Sequence, residues 1–259
     1  GAAGLGELVE QLREGRIQGL NVTIPHKQAV IPLLDELTPS AQAIGAVNTL
    51  FIRGARLIGD NTDAPGFQAD LRKLLEKESS TGLKEPSIRG EVPQRALILG
   101  AGGSARAVAY ALLEMGTQAL YIAARRVEQA QGLARNLGGP SIDKPKPEIQ
   151  ALTWPFDAPP ASLDLIVNCT PLGMHPNEAT SPWPKGLPFP SDAVVYDLVY
   201  NPLETRFLRD ARKVGLKTRN GMGMLIEQAA LSFQRWTGGD APRDVMWKAL
   251  ELKRKSERR

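Results

Sequence analysis

Six consecutive residues, Gly100-Ala101-Gly102-Gly103-Ser104-Ala105, have the types and spacing to hold a dinucleotide. They fit the G-x-G-x-x-G/A pattern, with Ala105 in the last place. Glycine there lets the backbone turn tightly and approach a pyrophosphate. A helix starting at the turn offers unpaired N–H groups and a positive dipole end to the anion. Residues 96–99 form a short apolar run before the turn, and residues 104–115 read as an apolar helix after it. A glycine-rich bend with no ligand is the bland alternative, and this strand–turn–helix order argues against it.

The next apolar run, residues 119–123, decides which nucleotide. An NAD site places an Asp or Glu about 20 residues beyond the glycines to bind the ribose 2′-hydroxyl. Here the run leads into Ala124-Arg125-Arg126, with no acid. Guanidinium pairs bidentately with phosphate. Arg125 and Arg126 therefore point to the 2′-phosphate of NADP, against the alternative of two solvated surface arginines.

A second cluster stands apart in sequence. In Asn21-Val22-Thr23-Ile24-Pro25-His26-Lys27, Pro25 ends a strand-like stretch and can open a helix, which puts Lys27 in its first turn. The positive dipole end there would favour release of the lysine proton, which suits a general acid. Gly59-Asp60-Asn61-Thr62-Asp63-Ala64-Pro65-Gly66 sets a carboxylate at a strand-to-helix junction. Alone, Asp63 reads as a helix N-cap and Lys27 as a surface lysine. Gly45-Ala46-Val47-Asn48-Thr49 adds polar groups at the start of a hairpin.

The elements that must carry these groups follow from periodicity. Residues 4–16 read as an amphipathic helix and residues 17–24 as a strand. Residues 47–52 and 56–60 form a hairpin, and residues 65–77 a helix. Residues 78–93 are polar and rich in Gly and Pro, a linker candidate. Apolar strands at 96–99, 119–123, 163–168 and 193–198 then alternate with helices at 104–115, 127–137 and 203–214. A short strand near 217–219 follows, and residues 138–147 are a Pro-rich loop. This alternation implies a parallel sheet covered on both faces. Residues 222–236 and 242–255 read as closing helices.

Composition limits the function classes. The chain has 259 residues, 42% hydrophobic and 23% charged, which is one large or two ordinary globular domains. One cysteine excludes a disulfide framework and a Cys-rich zinc site, and two histidines make a His-based metal centre improbable. The net charge of +4 is mild, and the basic run at 253–259 reads as a solvated helix end rather than a nucleic-acid tail. No stretch approaches the roughly 18–20 apolar residues of a membrane helix. A reducing, cytoplasmic compartment is the expectation.

Long motifs then add up. Segments 21–27, 45–49, 59–66 and 100–107 are joined in order by Asn168-Cys169-Thr170-Pro171-Leu172-Gly173-Met174, by residues 197–208 and by residues 220–238. With this set the chain resembles the shikimate dehydrogenase family along nearly its whole length. The resemblance implies an α/β protein of two α/β domains around a cleft. Residues 1–85 would be the substrate-binding catalytic domain and residues 92–221 the Rossmann-like NADP-binding domain. Residues 222–259 would be helices packing back on the first. It implies NADPH-dependent reduction of 3-dehydroshikimate to shikimate, in aromatic amino-acid biosynthesis.

The same resemblance implies the site residues. Lys27 matches the catalytic lysine and Asp63 its partner carboxylate, which also binds a substrate hydroxyl. Asn48, Thr23, Tyr200 and Gln228 match substrate positions. Gly100, Gly102, Gly103, Ser104 and Ala105 line the pyrophosphate turn, and Arg125, with Arg126 beside it, matches the adenosine-phosphate arginine. Thr170 and Leu172 match positions where the cofactor crosses the sheet edge. Gly221 and Met224 match residues beside the nicotinamide, although Met224 also reads as plain core. Two features depart from the family. Its Asn-Arg-Thr pattern reads Ala124-Arg125-Arg126 here. Its opening strand with a Ser-x-Ser motif, which grips the substrate carboxylate, has no counterpart before Asn21, so Gly1 is expected to fall inside the first domain. The rivals are an NAD-using quinate/shikimate dehydrogenase and a non-catalytic nucleotide-binding relative. The latter would need neither Lys27 nor Asp63.

Overall fold

A computed structural model of the chain describes residues 2–79, 92–137 and 146–257. In chain order the elements are α1 (Ala2–Arg13), β1 (Gly19–Asn21), β2 (Glu36–Leu37), α2 (Pro39–Ile44), β3 (Thr49–Arg53), β4 (Arg56–Asp60) and α3 (Asp63–Ser79). Then come β5 (Arg95–Leu99), α4 (Gly103–Met115), β6 (Ala119–Ala124), α5 (Val127–Leu137), β7 (Glu148–Thr153), β8 (Leu165–Asn168) and β9 (Val194–Asp197). The chain continues with α6 (Arg206–Lys213), β10 (Thr218–Asn220), α7 (Met222–Thr237) and α8 (Arg243–Glu257). It divides into two compact units: unit 1 is Gly1–Phe67 with Gly223–Arg259, and unit 2 is Gln68–Met222. The expected pair of α/β assemblies is present. Among the described residues, no helix is long and apolar enough to cross a membrane.

Unit 1 is built on a sheet of order β1-β3-β4-β2, in which β3 pairs antiparallel with β1 and β4 while β2 runs parallel to β4. Leu5, Val9 and Leu12 fall on one face of α1 at helical spacing, and all three are buried with Val22, Val30, Val47, Leu50 and Leu57. The hairpin register sets Thr49 opposite Asp60, which brings the residues just before β3 beside those just after β4. On the other side of the sheet, Trp236 of α7 donates from Nε1 to the Leu50 carbonyl at 3.0 Å.

Unit 2 is a six-stranded sheet of order β10-β9-β8-β5-β6-β7, and every pairing is parallel. The chain runs outward through β5, β6 and β7, then returns to place β8 on the other side of β5. The strand order therefore reverses between β5 and β8, and ligands of such sheets bind outside the carboxyl ends at that point. All four residues of β8 and all four of β9 are buried, as continuous apolar strands covered on both faces should be.

Several expectations need correction. The strand expected at 17–24 is only three residues long, β1. No helix follows Pro25: residues 24–30 form turns, tied by His26 N–H to the Thr23 carbonyl and Val30 N–H to the His26 carbonyl, before a 3₁₀ turn at Ile31–Leu33. Lys27 therefore sits at no helix N-terminus, and the dipole argument for it fails. Its carbonyl instead accepts the Val47 amide at 2.8 Å, a tertiary bond that a helical residue would not offer. The periodicity also missed β2, α2 and the edge strand β7. Residues 80–91 and 138–145, where most of the linker and loop expectations fall, and the side chains of the basic tail lie outside the described residues.

Candidate active site

Three backbone segments meet in unit 1. The Val22 amide donates to the Asn48 carbonyl at 2.8 Å, and the Asn48 amide donates to the Asp60 carbonyl at 3.1 Å. With the Val47–Lys27 bond, these fix the 22–27 turn, the start of β3 and the end of β4 against one another. The side chains at the junction are Lys27, Asn48, Thr62 and Asp63, all buried. Lys27 is 8% exposed and Asp63 4%, and Lys27 Nζ forms an ion pair with Asp63 Oδ2. A buried lysine and a buried carboxylate each need such a partner.

The other oxygen of Asp63 is also held. Oδ1 accepts from Asn48 Nδ2 at 2.9 Å. The Asn48 amide is itself oriented, because its Oδ1 accepts the Thr62 amide at 2.8 Å. Asp63 is thus no simple N-cap. The capping interaction belongs to Asn61, whose Oδ1 accepts the Ala64 amide at 3.2 Å while its Nδ2 donates to the Ala46 carbonyl at 2.9 Å.

Gln228, on α7, places Oε1 3.3 Å from Asn48 Nδ2. α3 and α7 approach closely enough for this because residue 66 is glycine: a Cβ there would lie 2.8 Å from the Gln228 backbone nitrogen. One turn further along α7, Ser232 was not anticipated. Its Oγ lies 2.8 Å from Thr49 Oγ1 and 3.2 Å from Thr62 Oγ1, and it accepts from Asn21 Nδ2 at 3.0 Å. The signal was its i+4 spacing from Gln228, which puts both on one helix face. Thr23 is exposed, beyond the end of β1, and its side chain has no hydrogen bond in this cluster.

Unit 2 gathers the nucleotide residues. β5 runs into Gly100, whose φ of +114° is a left-handed conformation that glycine tolerates. A Cβ at Gly100 would also meet Thr170 Cγ2 at 3.2 Å, so the turn after β5 lies against the loop after β8. Gly102 is the N-cap of α4 and supplies no side-chain cap, and the space where its Cβ would stand is open. Gly103 and Ser104 open α4, while Ala105 is buried on its inner face. Arg125 and Arg126 follow β6 and are exposed, and neither meets a carboxylate among the described residues. A helix start with no side-chain cap, an open glycine and two guanidiniums with no carboxylate partner among the described residues fit a dinucleotide with an extra phosphate.

The remaining predicted residues separate. Thr170 and Leu172 are partly buried after β8, Tyr200 is 46% exposed after β9, and Gly221 is buried after β10. Met224 is buried in α7. Among the described residues, no group of His, Cys, Asp and Glu could hold a metal ion.

Known proteins resemble this chain in sequence and fold. A shikimate dehydrogenase substrate-binding-domain profile matches residues 2–50, a shikimate/quinate 5-dehydrogenase profile residues 87–153, and a shikimate 5′-dehydrogenase C-terminal-domain profile residues 221–251. The NADP(+) shikimate dehydrogenase of Salinibacter ruber is 43% identical over 251 residues, covering 95% of this chain and 82% of its own. The chain belongs to the shikimate dehydrogenase family. Among solved structures of the family's fold, that of Thermus thermophilus shikimate 5-dehydrogenase with NADP(H) and shikimate is 35% identical, with a TM-score of 0.74 and coverage of 96% and 83% of the two chains. Quinate dehydrogenase of Corynebacterium glutamicum, solved with NAD, is 32% identical, with a TM-score of 0.78 and coverage of 96% and 82%.

Proposed function

We propose that this chain interconverts 3-dehydroshikimate and shikimate, using NADPH and NADP, with Lys27 as the proton donor to the substrate oxygen. The observation that carries this is the buried Lys27–Asp63 pair with Asn48 on the free oxygen of Asp63. The dinucleotide, when bound, supplies a hydride. Lys27 answers the charge that develops on the ketone oxygen by donating its ammonium proton. Asp63 keeps the ammonium in place and offers an oxygen to a substrate hydroxyl. Asn48, Gln228, Thr23 and Tyr200 would make further contacts to the substrate. Burial excludes water, so the proton has few competing destinations.

On the nucleotide side, Gly100, Gly102, Gly103 and Ser104 would receive the pyrophosphate, with Ala105 supporting the turn from beneath. Arg125 and Arg126 would hold the 2′-phosphate. Thr170 and Leu172 would stand where the cofactor crosses the sheet edge, and Gly221 and Met224 beside the nicotinamide. The domain division at 85 and 92, with the last helices completing the substrate domain, belongs to the same proposal. So do a cytoplasmic setting, which the lone buried Cys169 suits, and a monomeric or homodimeric state.

A spectrophotometric assay with four arms tests this: shikimate or quinate, each with NADP or NAD. Reduction of NADP with shikimate at the highest rate is the expected result. A preference for quinate with NAD would replace it with the alternative that the Corynebacterium glutamicum enzyme represents. No reduction in any arm, with NADP bound, would favour a non-catalytic relative.

A further inference from the structure

Asp197 is a buried carboxylate for which the proposed chemistry has no use. It ends β9 and is fully buried. Its Oδ1 accepts from Asn168 Nδ2 at 2.8 Å and from the Val199 amide at 3.0 Å. Its Oδ2 accepts from Thr205 Oγ1 at 2.6 Å. All three partners are uncharged, and burial pushes its carboxyl up to about 6 despite their donated hydrogen bonds. A carboxylate placed at such cost, with no cation among the described residues to offset it, calls for a reason.

The partners supply one. Asn168 ends β8, and its Oδ1 accepts from both the amide and the hydroxyl of Thr170, at 2.9 and 2.7 Å. Thr170 Oγ1 accepts the Leu172 amide at 3.2 Å, and Asn168 Nδ2 also reaches the Leu172 carbonyl at 3.3 Å. Thr170 in turn lies against Gly100 of the glycine turn. On the other side, Thr205 caps α6 by accepting the Leu208 amide at 3.3 Å. One hydrogen-bonded path therefore runs from Asp197 through Asn168 to Thr170 and Leu172, and another from Asp197 to the start of α6. An ionised acceptor makes both paths stiffer than a neutral one would.

We infer that Asp197 is a positioning residue for the nicotinamide half of NADP, an inference that rests on the function proposed above. It touches neither cofactor nor substrate. By tying the loop after β8 to the loop after β9, it fixes where Thr170 stands beside the glycine turn and how the chain runs on to Leu172. Arg125 and Arg126, at the end of β6, lie outside this network. Asp197 should thus govern affinity for the whole dinucleotide and not for its adenosine-phosphate end.

The test titrates the full chain with two ligands, NADP and adenosine 2′,5′-bisphosphate, which carries the 2′-phosphate but no nicotinamide. Asp197→Ala should raise the Kd for NADP about tenfold, the scale of a lost charged hydrogen bond, and leave the bisphosphate Kd unchanged. Asp197→Asn retains an acceptor for Asn168 and Val199 but has no charge and turns an amide toward the Thr205 hydroxyl, so it should recover part of the NADP affinity that Asp197→Ala loses. If Asp197→Ala does not fold, Thr205→Val decides: it removes one donor and should weaken NADP alone, whereas Thr205→Ser should not. Equal weakening of both ligands, or of neither, would overturn the inference. A wild-type chain that binds neither ligand would overturn the proposed function, and the inference with it.

Discussion

Asp63 in unit 1 and Asp197 in unit 2 are both buried carboxylates next to the carboxyl end of a strand, but their partners differ. Asp63 meets a lysine and an oriented amide. Asp197 meets an amide side chain, a hydroxyl and a backbone N–H, none of them charged. Burial is common to both, so burial alone says little about role. A carboxylate with a cation can help to place a mobile proton. One with only dipoles around it can accept hydrogen bonds and hold loops. The comparison extends to their supports: Asn48 orients Asp63, whereas Asp197 orients Asn168.

The sharpest way to break this comparison is to remove the cation. Lys27→Ala should lower turnover by ~10²–10⁴, the range for a general acid, measured at saturating NADP and substrate. Because it strands a buried carboxylate, it should also lower the melting temperature, so rates are compared well below the melt. Asp63→Asn keeps the shape but not the charge, and turnover should drop by about 10²-fold, the lower end of that range. If KM alone rises, Asp63 is a substrate ligand and no more.

Away from both aspartates, Arg125→Ala should weaken NADP binding about tenfold, as for a lost charge-assisted bond, while NAD binding stays as it was. Equal losses for the two nucleotides would refute the 2′-phosphate assignment. A further effect concerns pH. The carboxyl of Asp197 is held above its ordinary range, at about 6, so the folded state favours its neutral form. Its contribution to stability is therefore fully present below the unfolded value and lost as pH rises through about 6. Calorimetry should find Asp197→Asn gaining stability relative to wild type mainly as pH rises from about 4 to about 6, by about 3 kcal/mol in all. A difference that does not vary with pH would contradict this.

The glycine turn, the arginines and the alternating strands of unit 2 were legible because each depends on a short stretch of sequence. Buried parallel strands are continuous apolar runs, and the turn after β5 needs glycine at one backbone conformation. The edge strand β7 escaped notice because its outward positions, Glu148 and Gln150, break the apolar run. α2 carried its signals, with Thr38 accepting from the Ala41 amide at 3.3 Å and Gly45 left-handed, but six residues are too few to show a helical period. The local sequence around Lys27 misled. A proline opening suggested a helix, and the bond from Val47 to the Lys27 carbonyl, which no local rule foresees, favoured a turn. Ser232 and Asp197 were missed as site elements because their partners lie more than a hundred residues away or on a neighbouring strand. A hydroxyl or carboxylate in an apolar segment carries no mark of what it will meet.

One assay tests the central claim, that the partners of each buried aspartate set its role. Turnover of shikimate with NADP is measured side by side for the wild type, Lys27→Ala and Asp197→Asn, with NADP affinity determined for each. The account predicts that Lys27→Ala loses turnover while keeping NADP affinity, and that Asp197→Asn stays near the wild-type rate. Wild-type turnover in Lys27→Ala, or an equal collapse in Asp197→Asn, would contradict it.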